Sequence, residues 1–229
     1  MVALTLSLGL APANAADNSL VGGVILNPEG LYTTYTRKVA GGDDGARMSL
    51  YNSFLVYSNE FGVQAQYITD PAIVEFHTEL GFEPGLFRRE GTQDRRARWR
   101  ANWRTQANIN LKLDSVWFYS RTTALVRYRN FVEHDTVNEL TVEREYSVEQ
   151  ALAPFVRIAG APEGPGLWTY AEYTVGAIAD RGTRTHRVSA GFLSENWPGN
   201  GTVFNLDLFW SFAEPLTGPG AIFVYYLYW

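Results

Sequence analysis

Five arginines carry the chemistry most directly visible in this chain. Arg98, Arg100 and Arg104 fall at even positions of one stretch, and Arg127 and Arg129 at odd positions of another. In an extended strand successive side chains alternate sides, so each set projects from a single face. Guanidinium groups match carboxylates and sulfates through paired hydrogen bonds, so such a wall suits anionic solutes. Glu143 and Glu145 share a parity in the next stretch. They could face the arginines across a wet interior or neutralise them directly, and Glu75 and Glu79 offer the same pairing. Histidine chemistry is poorly placed. His186 and Ser189 have opposite parity within one strand and cannot form a dyad on one face. Glu75, His77 and Glu79 share a face, but ligands two apart on a strand are spaced by about 7 Å and share no ion without a partner strand. No metal and no cofactor is expected.

These side chains need long strands to hold them. From Arg96 to Asp114 the odd positions are Ala97, Trp99, Ala101, Trp103, Thr105, Ala107, Ile109, Leu111 and Leu113, while every even position from Arg98 to Lys112 is polar. The pattern predicts one unbroken ribbon with an apolar and a basic face. At about 3.3 Å per residue it reaches nearly 60 Å. Strands of soluble domains are commonly about 5–6 residues. A tilted membrane-crossing strand, apolar side to lipid and polar side to a lumen, accounts for the length.

Composition narrows the classes. The chain has 229 residues, 46% hydrophobic and 14% aromatic, yet no apolar run approaches the roughly 18–20 residues of a membrane helix. It has no cysteine, which excludes disulfide scaffolds, cysteine nucleophiles and thiolate metal sites. A net charge of −5 argues against nucleic acid as a partner. Residues 1–15 hold an apolar run followed by Pro12 and Ala13-Asn14-Ala15, the pattern of a secretory signal peptide whose basic start is missing; residues 16–229 then form a single domain.

Turn signals divide that domain. Asn27-Pro28-Glu29-Gly30, Gly41-Gly42-Asp43-Asp44-Gly45, Asn59-Glu60, Asp114-Ser115, Asp180-Arg181-Gly182, Trp197 to Gly201 and Glu214 to Gly220 separate alternating runs. Residues 81–95 form the longest expected loop. Asp70-Pro71 reads as a turn between two strands, because proline has no ladder donor and every strand of a closed barrel is paired on both sides. Pro154 is expected at a bulge near a rim, with the outward Arg144 also near a rim. The fold expected is all-β, a transmembrane antiparallel up-and-down barrel of about 12 strands, or 10 if one hairpin is absorbed. A soluble sandwich is disfavoured, since strands this long with so charged a face would leave it without a core. Trp99, Trp103, Trp210, Tyr225 and Trp229 take the lipid-facing parity and suit interfacial girdles. Trp168 and Tyr170 take the other and are expected in the lumen or at a rim.

The final strand alternates Phe223, Tyr225, Leu227 and Trp229. It resembles the C-terminal strand of bacterial outer-membrane β-barrel proteins, whose terminal aromatic is read by the barrel-assembly machinery. The resemblance implies that machinery and outer-membrane lipid as partners, and a Gram-negative outer membrane as location. Size, strand count and the arginine wall are similar to the small acidic-oligosaccharide porins, the oligogalacturonate and sialic-acid channels. That similarity implies passive uptake of small anionic or oligosaccharide solutes, bound by Arg98, Arg100, Arg104, Arg127, Arg129, Glu143 and Glu145, and no enzymatic activity. Two alternatives stand beside it. One is a closed structural or adhesive barrel with a salt-bridged interior. The other is a rim hydrolase similar to the ten-stranded omptin-type proteases, drawing on Asp43-Asp44 and His134-Asp135, although these are loop residues in adjacent rather than alternating positions.

Overall fold

The computed structural model describes residues 17–26, 30–42, 45–55, 58–69, 74–84, 96–132, 141–160, 165–179, 183–196, 201–212 and 217–229. Twelve antiparallel strands close into one barrel. They are β1 (Asn18–Leu26), β2 (Gly30–Gly41), β3 (Gly45–Leu55), β4 (Ser58–Ile68), β5 (Val74–Pro84) and β6 (Arg96–Lys112), then β7 (Val116–Val132), β8 (Thr141–Gly160), β9 (Gly166–Ile178), β10 (Thr183–Glu195), β11 (Thr202–Ser211) and β12 (Gly218–Tyr228). Each strand pairs with its neighbours in the chain, and β1 closes on β12. At the seam the Asn18 amide donates to the Trp229 carbonyl at 2.9 Å, and the Trp229 amide returns a bond to Asn18 at 3.1 Å. Closure leaves no unpaired edge, the condition for placing strands in a bilayer.

Period-two alternation sorts the side chains. Leu31, Leu80, Trp103, Leu152, Leu208, Phe212 and Trp229 are exposed on the outer face. An apolar belt around the whole wall far exceeds the patches of soluble monomers, and lipid is its natural solvent. Trp103 and Trp210 lie in that belt as their parity predicted.

Asp70 and Pro71 lie outside the described residues, but two separate strands flank them, not one long one. β4 ends at Ile68 and β5 begins at Val74, with the Thr69 amide bonded to the Val74 carbonyl at 3.0 Å and the Val74 amide bonded to Thr69 Oγ1 at 3.0 Å. Twelve strands, not ten, follow.

Three local expectations change. First, β5 continues through Pro84, because Gly81, Phe82, Glu83 and Pro84 pair in register with Asn102 to Trp99; residues 85–95 of the expected loop lie outside the described residues. Second, the ribbon of residues 96–114 is not unbroken. Its register against β7 shifts between Ala97 and Trp99, so Arg98 is an extra residue at a bulge. Third, Pro154 is not at a bulge. It lies opposite Phe118 in continuous register with β7, and the ladder with β9 lapses between Leu152 and Phe155 and resumes unshifted. The missing amide omits a ladder bond without displacing the strand, and the shift falls beyond it, between Arg157 and Ala159. Arg144 is exposed, with its guanidinium 5.9 Å from the Tyr128 ring centre near the start of β8.

The barrel has two unlike ends. Asn18 and Trp229 meet at one, here the terminal end, which also carries the connection 113–115 between β6 and β7. Connections 85–95 and 133–140 leave from the other, the loop end.

Candidate functional site

The inner face is not uniformly polar. Near the terminal end Trp117 and Tyr119 of β7, Phe155 of β8, Trp168 and Tyr170 of β9, Leu193 of β10, Val203 of β11 and Ile222, Val224 and Tyr226 of β12 form one buried cluster. Phe155, Trp168, Leu193 and Val224 are 0% exposed. Trp117 stacks on Phe155 with centroids 4.5 Å apart, and Phe155 on Tyr170 at 4.6 Å. The apolar contact is worth most where water is fully excluded, so the side of the lumen from β7 round to β12 is a core of the barrel's own side chains. Trp168 and Tyr170 therefore belong to the lumen, the first of the two placements their parity allowed.

Towards the loop end the wall becomes charged and is paired strand by strand. Arg104 Nη1 lies 3.0 Å from Glu79 Oε1, and Arg127 Nη1 lies 3.0 Å from Glu145 Oε1. Arg100 meets Glu83, its register partner on β5. Arg121 Nη2 reaches Glu149 Oε1 at 3.2 Å, and Arg187 Nη2 reaches Glu172 Oε1 at 2.7 Å. Burial of an ionised group without a partner is costly, which is why facing strands bring opposite signs into register. Neutral groups extend the network. Arg127 Nε donates to Asn102 Oδ1 at 3.0 Å; the Asn102 amide in turn contacts Glu60, which also accepts from the Tyr51 hydroxyl at 2.8 Å. Asn108 Nδ2 donates to Glu75 Oε2 at 3.2 Å, and His77 Nε2 stands 3.3 Å from Glu79 Oε2.

Glycine makes two of these links reach over an intervening strand. A Cβ on Gly191 would collide with the Leu206 carbonyl and stand 2.7 Å from the Tyr170 ring carbon Cζ and hydroxyl. Because that space is open, Tyr170 on β9 lies across β10 and donates to Asn205 Oδ1 at 2.9 Å and Asp207 Oδ1 at 3.1 Å on β11. Gly81 does the same for Tyr51 and Glu60, both of which its Cβ would meet.

The sequence-derived site divides accordingly. Arg100, Arg104, Arg127 and Glu145 are on the inner face, and each takes part in an ion pair. Glu79 is among the acids expected to neutralise the arginines and does so, whereas Glu75 bonds to Asn108. Arg98, Arg129 and Glu143 lie on strand backbone, Arg129 opposite Glu143 in register, but their side chains lie outside the described residues. Asp43, Asp44, His134 and Asp135 also lie outside them. Arg121, Glu83, Glu60 and Asn102 were missed. Parity alone would have found Arg121, two residues from Thr123 and two from Tyr119 on the same face; the aromatics on that parity masked the polar pattern. The tie between Glu60 and Asn102 has no sequence signal, since it spans two strands and depends on Gly81.

Solvent access across the lumen is lopsided. The inner-facing residues of β9 from Trp168 to Ile178 are all buried. Across the lumen, Ser19, Val21, Gly23 and Ile25 of β1, Tyr32, Thr34, Thr36 and Lys38 of β2, and Glu60, Gly62, Gln64 and Gln66 of β4 are all partly exposed, whereas on β3 between them Arg47 and Ser53 are partly exposed and Ser49 and Tyr51 are buried.

No protein family and no curated protein sequence matches the chain. Solved structures do. It is similar to the β domain of the Bordetella autotransporter BrkA, at 12% identity over 93% of this chain and 99% of that one, with a TM-score of 0.57. It is also similar to the KdgM porin, at 13% identity over 92% and 99% with a TM-score of 0.43, and to the NanC porin, at 9% identity over 93% and 99% with a TM-score of 0.46. At 12% identity what is shared with the BrkA β domain is the β-barrel fold.

Proposed function

We propose that this protein is a narrow channel of the bacterial outer membrane, passing small polar solutes along the β1, β2 and β4 wall. The lopsided solvent access carries the proposal: the β9 side of the lumen is packed, while Ser19, Gly23, Thr34, Thr36, Gly62, Gln64 and Gln66 on β1, β2 and β4 keep partial access to solvent beside Val21, Ile25 and Tyr32, which pack against the aromatic cluster. By the usual sidedness of such barrels the terminal end is periplasmic and the long connections extracellular. Lipid surrounds the apolar belt, and the terminal aromatic strand engages the assembly machinery. Arg100, Arg104 and Arg127 then act with Arg98 and Arg129 as a fixed basic flank beside the path, favouring anionic and oligosaccharide solutes, while Glu143 and Glu145 with Glu79 and Glu83 neutralise part of that charge. The reading is non-enzymatic. His186 is on the outer face bonded to the Tyr173 hydroxyl at 2.9 Å, away from the inward Ser189.

Planar-bilayer recording of the refolded chain in a KCl gradient tests this. Steady anion-selective steps are expected, and reversing charge at Arg100 and Arg127 should move the reversal potential towards cation preference. Unchanged selectivity in folded variants would refute the arginine flank. A second reading is favoured by the aromatic cluster and the paired guanidiniums, namely a sealed structural or adhesive barrel. Electrical silence from barrels shown to be folded would select it.

A further inference from the structure

Lys112 ends β6 and Glu195 ends β10, with β7, β8 and β9 standing between them in the wall. Even so, Lys112 Nζ is 2.9 Å from Glu195 Oε1 and 3.1 Å from Oε2. The contact is reinforced from three sides. Trp168 Nε1 donates to Glu195 Oε2 at 2.9 Å, and the ammonium stands 5.4 Å from the Trp117 ring centre and 5.2 Å from that of Trp168. Arg157 places its guanidinium 4.5 Å from the same Trp168 ring. Both rings also belong to the aromatic cluster.

A round barrel could not make this contact. Twelve strands about 4.8 Å apart and tilted by about 40° enclose a backbone circle about 24 Å across. Four strand steps around it correspond to a chord of about 21 Å by the same spacing. Two extended side chains and the gap between them span about 14 Å with every torsion staggered and trans. β6 and β10 must therefore approach by several ångströms at the terminal end, and the wall there is drawn into an oval.

We propose that the Lys112–Glu195 pair is a tie across the terminal mouth that holds the barrel oval and sets the width of the solute path. The proposal rests on the channel reading. Carboxylate and ring faces hold the ammonium in place, and the ring faces prefer it to water. Breaking the tie lets β6 and β10 recede, opens the aromatic layer and widens the mouth.

Single-channel conductance of the refolded chain, of Lys112→Met, of Glu195→Gln and of the exchange Lys112→Glu/Glu195→Lys tests it. Each single variant should conduct about twice as well as the unaltered chain, because conductance follows the narrowest section, and the exchange should return towards the original value. If the unaltered chain conducts and the variants match it, the tie is overturned and the channel reading stands. Silence from the unaltered chain together with conducting single variants supports the tie as a closure. Silence from all of them, folded, removes the channel reading and the tie with it. A geometric readout covers variants that fold poorly. The chain has no cysteine, so nitroxides can be placed uniquely at Leu113 and Ser194 beside the tie. Their separation should lengthen by about 5 Å in Lys112→Met if that wall relaxes towards a circle of strands at ordinary spacing. An unchanged separation overturns the proposal whatever the conductance.

Discussion

Replacing Arg187 by methionine measures whether the β9–β11 half of the lumen is dry. Arg187 Nη2 holds Glu172 Oε1 at 2.7 Å, with the two side chains 8% and 1% exposed. That oxygen also accepts a bond from the Thr174 hydroxyl at 2.9 Å. Methionine keeps most of the volume but strands a carboxylate in a site that water does not reach. Removing one partner of such a pair costs about 3–5 kcal/mol, chiefly because the remaining charge is uncompensated. The double variant Arg187→Met/Glu172→Met removes both charges and should recover most of that loss. A pair with a solvent-exposed acid supplies the reference. Lys38 Nζ is 2.7 Å from Asp17 Oδ1, the same distance, but Asp17 is 70% exposed, so Lys38→Met should cost only about 0–1 kcal/mol. The assay is reversible denaturant unfolding of the barrel in lipid vesicles, followed by fluorescence of its seven tryptophans. A loss below about 1 kcal/mol for Arg187→Met would refute the reasoning, since it would mean that solvent screens the pair as it does at a surface.

Two further outcomes follow from the packing. Gly191→Ala should destabilise by about 2–4 kcal/mol, because Tyr170 must leave its two acceptors to make room, while Gly22→Ala, with nothing near the added carbon, should be close to neutral; equal effects in unfolding titrations would sink the account of Tyr170. On the lipid face, Leu208→Arg in the middle of the belt should cost about 2–4 kcal/mol and Leu113→Arg at the terminal edge about 0–1 kcal/mol in vesicles. Similar costs at the two depths would contradict the assigned bilayer position.

Architecture was legible because a barrel in lipid obeys one local rule. Side chains alternate between two solvents, so the parity of Trp103, Leu111 and Trp210 against Arg100, Arg104 and Arg127 fixes which face is which without any knowledge of partners. The break at Asp70-Pro71 was legible for an equally local reason, the missing proline donor. Arg98 shows where parity fails: a bulge adds one residue, and only the register against β7 reveals it. What fills the lumen could not be read from single strands. Trp117, Phe155, Trp168 and Tyr226 come from four strands and become a cluster only when closure brings their inner faces together. The pairing of Arg127 with Glu145 is set by the stagger between β7 and β8, and that of Lys112 with Glu195 by the curvature of the whole wall. Sequence by itself determined the strands, their faces and the solvent of each, because those depend on neighbouring residues along one chain. Tertiary structure alone decided which charges meet and which half of the interior is dry, because both depend on distances across a closed sheet.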